Sequence, residues 1–183
     1  MSPSNESQPS ESQSNTPPPE IPFPESGRLA AVDYGTVRIG IAVCDPDRIL
    51  ASPVEVYQVR DEARDARYFK TLAAQERLAG FVVGLPIHCD GGESQKSKEC
   101  REFARWLSDQ TQLPVRLFDE RFSTAAAKER LAAGRLSRQK KKKQLDAVAA
   151  LVVLESFLEM SRYHGKLAGQ SIHQEPGGGE TLE

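Results

Sequence analysis

Three carboxylates, Asp33, Glu120 and Asp146, carry the chemistry this chain can be expected to do. Asp33 closes a run of small and branched apolar residues, Leu29 to Val32, just before Gly35. Glu120 closes a second such run, Val115 to Phe118 with Asp119, and Asp146 opens onto the apolar stretch Ala147 to Leu158. A carboxylate at the end of a buried strand is partly desolvated and needs a cation, a donor or a proton. Several gathered in one cleft repel one another, and a divalent cation removes that penalty. Carboxylates without His or Cys neighbours are hard oxygen ligands that suit Mg²⁺ or Mn²⁺ better than zinc. Two such ions about 3.5 to 4 Å apart can activate a water and stabilise a leaving oxygen in phosphodiester displacement.

Each residue also has a plainer reading. Asp before Gly is a common turn former, Asp119 and Glu120 would favour the N-terminus of a following helix, and Asp146 would do the same or pair with a nearby lysine. Lys140 to Lys143 read first as a solvated face, with nucleic-acid contact as the second reading. Gly91-Gly92 suit a phosphate turn or an ordinary one. His88 is a weak candidate for a general base, and Phe103 and Trp106 at helical spacing read as core or its margin.

The elements that must position these groups follow from periodicity and punctuation. Strands are expected near 29–33 and 38–44, with a third short one near 53–58 completing an antiparallel meander. Asp61 to Leu78 carries Ala66, Phe69, Leu72 and Ala73 at helical spacing. Gly80 to Pro86 is a brief apolar run between punctuators, hence a buried strand. His88 to Ser94 reads as a loop leading into a helix with Cys100, Phe103, Ala104 and Leu107 on one stripe. The strand 114–120 is followed by a short Ala-rich helix between Ser123 and Gly134, then the apolar helix 147–158. The order gives an α/β fold with a mixed sheet, in which crossovers bring the carboxyl ends of parallel strands together. If the first and fifth strands are close, Asp33 and Glu120 share a rim, where ligands of open α/β sheets gather.

Composition sets the outer bounds. Residues 1–27 hold four Glu, no Lys or Arg, and mostly Ser, Pro, Asn and Gln, so they are expected to be a disordered acidic tail. Residues 165–183 are expected to be a flexible C-terminal tail, leaving one domain over 28–164. Both tails are acidic, so the middle of a chain of net charge -2 is mildly basic and leans toward an anionic partner. Cys44, Cys89 and Cys100 are odd in number and lack a C-x-x-C pair, which argues against a disulfide framework or zinc site. Neither a signal peptide nor a membrane span is expected, which makes the reducing cytoplasm the default setting.

Taken in order, four segments over about residues 28–162 resemble the YqgF family, described as Holliday junction resolvases and as pre-16S rRNA nucleases. They are Asp33-Tyr34-Gly35-Thr36-Val37-Arg38 with the strand after it; Val83-Gly84-Leu85-Pro86 with Asp90 to Ser94; Asp119 to Thr124; and Lys143 to Ala150 with Leu154 to Leu158. Val37 departs from the pattern, standing where many members carry a basic residue. The resemblance implies an RNase H-like fold, a five-stranded mixed sheet with strand two antiparallel, flanked by helices. It implies that Asp33, Glu120 and Asp146 form the acidic catalytic and metal site, with Asp33 bridging two ions. Arg38, Lys96, Lys98, Arg121, Lys140, Lys141, Lys142 and Lys143 are then candidates for the nucleic-acid backbone. The implied activity is metal-dependent cleavage of structured RNA, foremost the 5′ end of 16S rRNA precursor, or of DNA junctions. Two rivals remain: a phosphotransferase of the actin and sugar-kinase type, for which one domain supplies half a cleft, and a non-catalytic RNA-binding module of ribosome assembly.

Overall fold

The computed structural model describes residues 21–87, 94–122 and 138–173. Strand β1 (Arg28–Asp33) is followed by β2 (Arg38–Cys44) and β3 (Ala51–Gln58). Helix α1 (Glu62–Gln75), β4 (Leu78–Leu85), α2 (Gln95–Thr111) and β5 (Val115–Asp119) come next. A single 3₁₀ turn, Glu120–Phe122, leaves β5. The long helix α3 (Arg138–His164) and a two-residue strand β6 (Gln170–Ser171) complete the described chain.

The sheet order is β3-β2-β1-β4-β5-β6. Strand β1 runs antiparallel to β2 and parallel to β4, and β4 runs parallel to β5. The expected mixed sheet with an antiparallel second strand is present, with one strand more than expected. The sixth is β6, which pairs antiparallel to β5 through Leu117↔Gln170 and Arg116↔Ser171. It is too short to leave an alternating pattern, and Arg116 fixes the approach by donating to the carbonyls of Ala168 and Gly169 at 2.8 and 2.7 Å.

Because strand side chains alternate, the sheet has two faces and each buries a separate core. Ala30, Val32, Ile39, Ile41, Val83 and Leu117 pack against Phe69 and Leu72 of α1 and Phe103, Ala104 and Leu107 of α2. Leu29, Ala31, Ala42, Val82 and Phe118 pack against Ala150, Val153, Leu154 and Phe157 of α3. The helical stripes expected on α1 and α2 are the buried ones. Asp61 caps α1 by accepting from the Arg64 N–H at 3.0 Å, and Ser94 caps α2 by accepting from the Ser97 N–H at 3.0 Å. Gln112 in a left-handed conformation ends α2.

Two expectations shift. Helix α3 begins upstream of Ala147, so Lys140 to Lys143 and Asp146 lie within it and Asp146 is no helix-starting residue. Within the stretch read as a leader, Phe23 packs edge-on against Phe157 at 6.1 Å, and Arg48 donates to the carbonyls of Pro24, Ser26 and Gly27. The loop 88–93 and the helix expected after Ser123 lie outside the described residues. Among the described residues no helix is long and apolar enough to cross a membrane.

Candidate active site

Parallel pairing of β1, β4 and β5 sets their carboxyl ends on one rim of the sheet. Asp33 is the last residue of β1, and the chain must reverse at once to return as β2. Gly35 makes that turn possible: a Cβ there would stand 2.6 Å from the Arg38 carbonyl oxygen, a clash with backbone that no side chain can relieve. The pairing Val32↔Val83 then leaves Asp33 alongside Gly84 of β4, and Gly84 in turn pairs with Phe118 of β5.

Glu120 begins the turn that follows β5, and its carboxylate reaches back over β4. A Cβ on Gly84 would come within 2.7 Å of Glu120 Oε1 and 3.2 Å of Val153 Cγ2. The Glu120 carboxylate therefore lies against bare backbone at Gly84, on the face that α3 covers. The backbones of β1 and β5 are roughly 10 Å apart across β4, and the Glu120 carboxylate lies within that span, over β4. Both acids are half-buried.

A buried thiol beside the rim registers the two charges together. Cys100, on the inner face of α2 and 1% exposed, is pushed up to about 12. Burial is the main cause; Lys96 opposes it, and Glu120, Asp33 and Glu99 add to it. Lys96 in the first turn of α2 thus acts on the same neighbourhood as the acids, and Lys98 is exposed on that turn. The turn is tied to the end of β4 by Ser97, whose hydroxyl donates to the Pro86 carbonyl.

Other expected contributors stand differently. Asp119 faces away from Glu120, is 7% exposed, and is gripped by Arg121. Arg121 Nε and Nη2 lie 2.9 and 2.7 Å from Asp119 Oδ2, and the Arg121 N–H donates to Oδ1 at 2.9 Å. Asp119 is accordingly engaged in holding the turn, and Arg121, a phosphate candidate from sequence, spends much of its fork on it. Arg38 starts β2 opposite Gln58. Position 146 belongs to α3, seven residues before Val153, which packs on the sheet. Lys140, Lys141, Lys142 and Lys143 occupy the turns of α3 just before it. Sequence reasoning passed over Gly84, although a glycine inside an otherwise apolar strand marks a place of close approach.

Among the described side chains no group of three His, Cys, Asp or Glu gathers as a metal site; Asp33 and Glu120 are the described acids at the ends of β1 and β5. Two carboxylates at the carboxyl rim of the sheet, one of them over bare backbone, form a donor set of hard oxygens. Such a set fits Mg²⁺ or Mn²⁺.

Comparison with known proteins identifies the family and the fold. A family model described as "RuvX: Holliday junction resolvase" matches residues 27–160. A Rhodopirellula baltica protein named "Putative pre-16S rRNA nuclease" is 63% identical over 150 residues, covering 82% of this chain and 87% of the relative. One of the same name from Bradyrhizobium sp. (strain ORS 278) is 42% identical over 137 residues, covering 75% and 85%. Among solved structures, T. thermophilus RuvC in complex with a Holliday junction substrate matches with a TM-score of 0.52 at 13% identity, covering 78% of this chain and 99% of that one. At that identity the likeness is one of fold, and it is the RNase H-like fold that the sheet order describes.

Proposed function

The chain belongs to the RuvX family, and from that premise we propose that it is a metal-dependent endonuclease that hydrolyses phosphodiesters of structured nucleic acid, with the 5′ end of 16S rRNA precursor as its substrate in the cytoplasm. The observation that supports this reading best is the approach of Glu120 over Gly84 toward Asp33 at the carboxyl rim of the sheet.

In this reading Asp33, Glu120 and Asp146 hold Mg²⁺ or Mn²⁺. When bound, the ions supply an activated water and a charge that stabilises the leaving oxygen. The protein contributes position. Asp33 is fixed by the end of β1 and the Gly35 turn, and Glu120 by the turn that Asp119 and Arg121 clamp. Helix α3 brings Asp146 from the covering side. Lys96 and Lys98 on α2, Arg38 on β2, the exposed part of Arg121, and Lys140 to Lys143 would supply the contacts to a phosphate backbone. Contacts of that kind are largely independent of sequence and weaken steeply with salt. Selectivity then rests on the shape of the folded RNA.

The test is cleavage, with Mg²⁺ or Mn²⁺, of an RNA carrying the 5′ precursor sequence of 16S rRNA beside a four-way DNA junction, by wild type and Asp33→Asn. The reading expects cuts in the RNA that the variant does not make. Cutting confined to the junction would make the protein a junction resolvase, as its family model is described. Binding without cutting of either would make it an assembly module.

A further inference from the structure

Glycine weakens a strand interior, and Gly84 sits near the end of the central strand β4. Backbone geometry does not demand it: positive φ occurs at Gly27, Gly165 and Gly169 among the described glycines, and Gly84 is not one of them. Space is the constraint. A Cβ at Gly84 would meet Glu120 Oε1 at 2.7 Å, Val153 Cγ2 at 3.2 Å and Glu120 Cδ at 3.6 Å. The nearest atom is the tip of a flexible side chain, unlike at Gly35 and Gly169, where the nearest atoms are the Arg38 and Leu117 carbonyl oxygens. A methyl group at Gly84 can therefore be absorbed by the fold if the Glu120 carboxylate moves.

From this we propose that Gly84 is a positioning residue of the acidic site. Its missing side chain is the space in which the Glu120 carboxylate lies, between β4 and Val153 of α3, one strand from Asp33. The inference rests on the reading of Asp33 and Glu120 as ion ligands and adds to it the element that sets their separation. Gly84→Ala drives the Glu120 carboxylate off β4 and away from Asp33 while leaving the two hydrophobic cores intact.

The experiment is a calorimetric Mn²⁺ titration of the full chain as wild type, Gly84→Ala and Asp33→Asn, with thermal denaturation of each in EDTA. Gly84→Ala is expected to weaken Mn²⁺ binding by about 10 to 100-fold, the usual effect of disturbing the support of a ligand, with an unchanged melting temperature in EDTA. Excess Mn²⁺ should restore occupancy. Should the methyl destabilise the fold through Val153, Val153→Ala removes that contact and keeps the clash with Glu120, so the titration is then read in the double variant. Wild-type Mn²⁺ affinity in Gly84→Ala, with Asp33→Asn impaired, overturns the positioning role alone. Wild-type affinity in Asp33→Asn overturns the ion site itself.

Discussion

Asp119 and Glu120 are adjacent in the chain and leave the sheet on opposite faces. Asp119 pairs with Leu85 in the β4–β5 ladder and closes around Arg121, whereas the Glu120 carboxylate lies against Gly84 and beneath Val153 of α3. The alternation of a strand is enough to give two neighbouring acids different work. One is held by a guanidinium, and the other lies over β4 on the face that α3 covers.

Loss of Arg121 should therefore be felt in stability. Asp119 is 8% exposed in its side chain and Arg121 44%, so Arg121→Ala removes the guanidinium that a buried carboxylate is paired with. The expected cost is about 1–3 kcal/mol, read from urea denaturation. An unchanged midpoint with weaker RNA binding would show that Arg121 serves the nucleic acid alone.

The N-terminal segment divides within itself. Phe23 touches Phe157 and lies over Gly80, where an added Cβ would be 3.1 Å from its ring, and Arg48 fastens the carbonyls of residues 24, 26 and 27. Removing residues 1–20 should leave the melting temperature unchanged. Removing 1–26 should lower it by several degrees, as loss of about 1–2 kcal/mol would in a domain of this size. Equal melting temperatures for the two truncations would contradict the docking.

Cys100 should be inert and should make the fold alkali-sensitive. Its thiol, with an ordinary value of 9.0, is pushed up to about 12 by burial and by the nearby carboxylates. The unfolded chain then loses this proton first, so the contribution is complete below pH 9 and is lost as pH rises toward 12. In a Cys89→Ser background, Ellman's reagent at pH 8 should label no thiol until denaturant is added, since Cys44 is also buried and raised. Fast labelling of the native protein would refute this.

Repulsion between Asp33 and Glu120 gives a further expectation. In EDTA, Asp33→Asn should melt no lower than wild type, because it removes one of two like charges at the carboxyl rim of the sheet. With Mn²⁺ added, wild type should gain stability that the variant does not. A variant markedly less stable in EDTA would assign Asp33 a structural role.

Much of this arrangement was legible in the chain because its causes are local. The Asp33 to Gly35 turn, the apolar runs of β1, β2 and β4, and the Phe69 and Phe103 stripes announce themselves by residue type and period. The motif order carried the fold. Less legible were features made by contact between distant segments: Gln170 adding a sixth strand, Phe23 resting on Phe157, and Arg121 folding back on Asp119. Gly84 was visible as a glycine in a strand, but its partner, Glu120, is brought over it only by the parallel β4–β5 pairing. The extent of α3 upstream of Ala147 escaped because lysines at Lys140 to Lys143 carry no apolar period, yet lysine is a good helix former.

The central claim is that Asp33, Glu120 and Asp146 share one ion-binding pocket, and an anomalous difference map from a crystal soaked in Mn²⁺ tests it most directly. The account predicts manganese peaks at the carboxyl rim of β1, β4 and β5, each within coordination distance of oxygens from these carboxylates and absent from Asp33→Asn crystals. Manganese bound elsewhere, or a rim without manganese while the three carboxylates point apart, would contradict it.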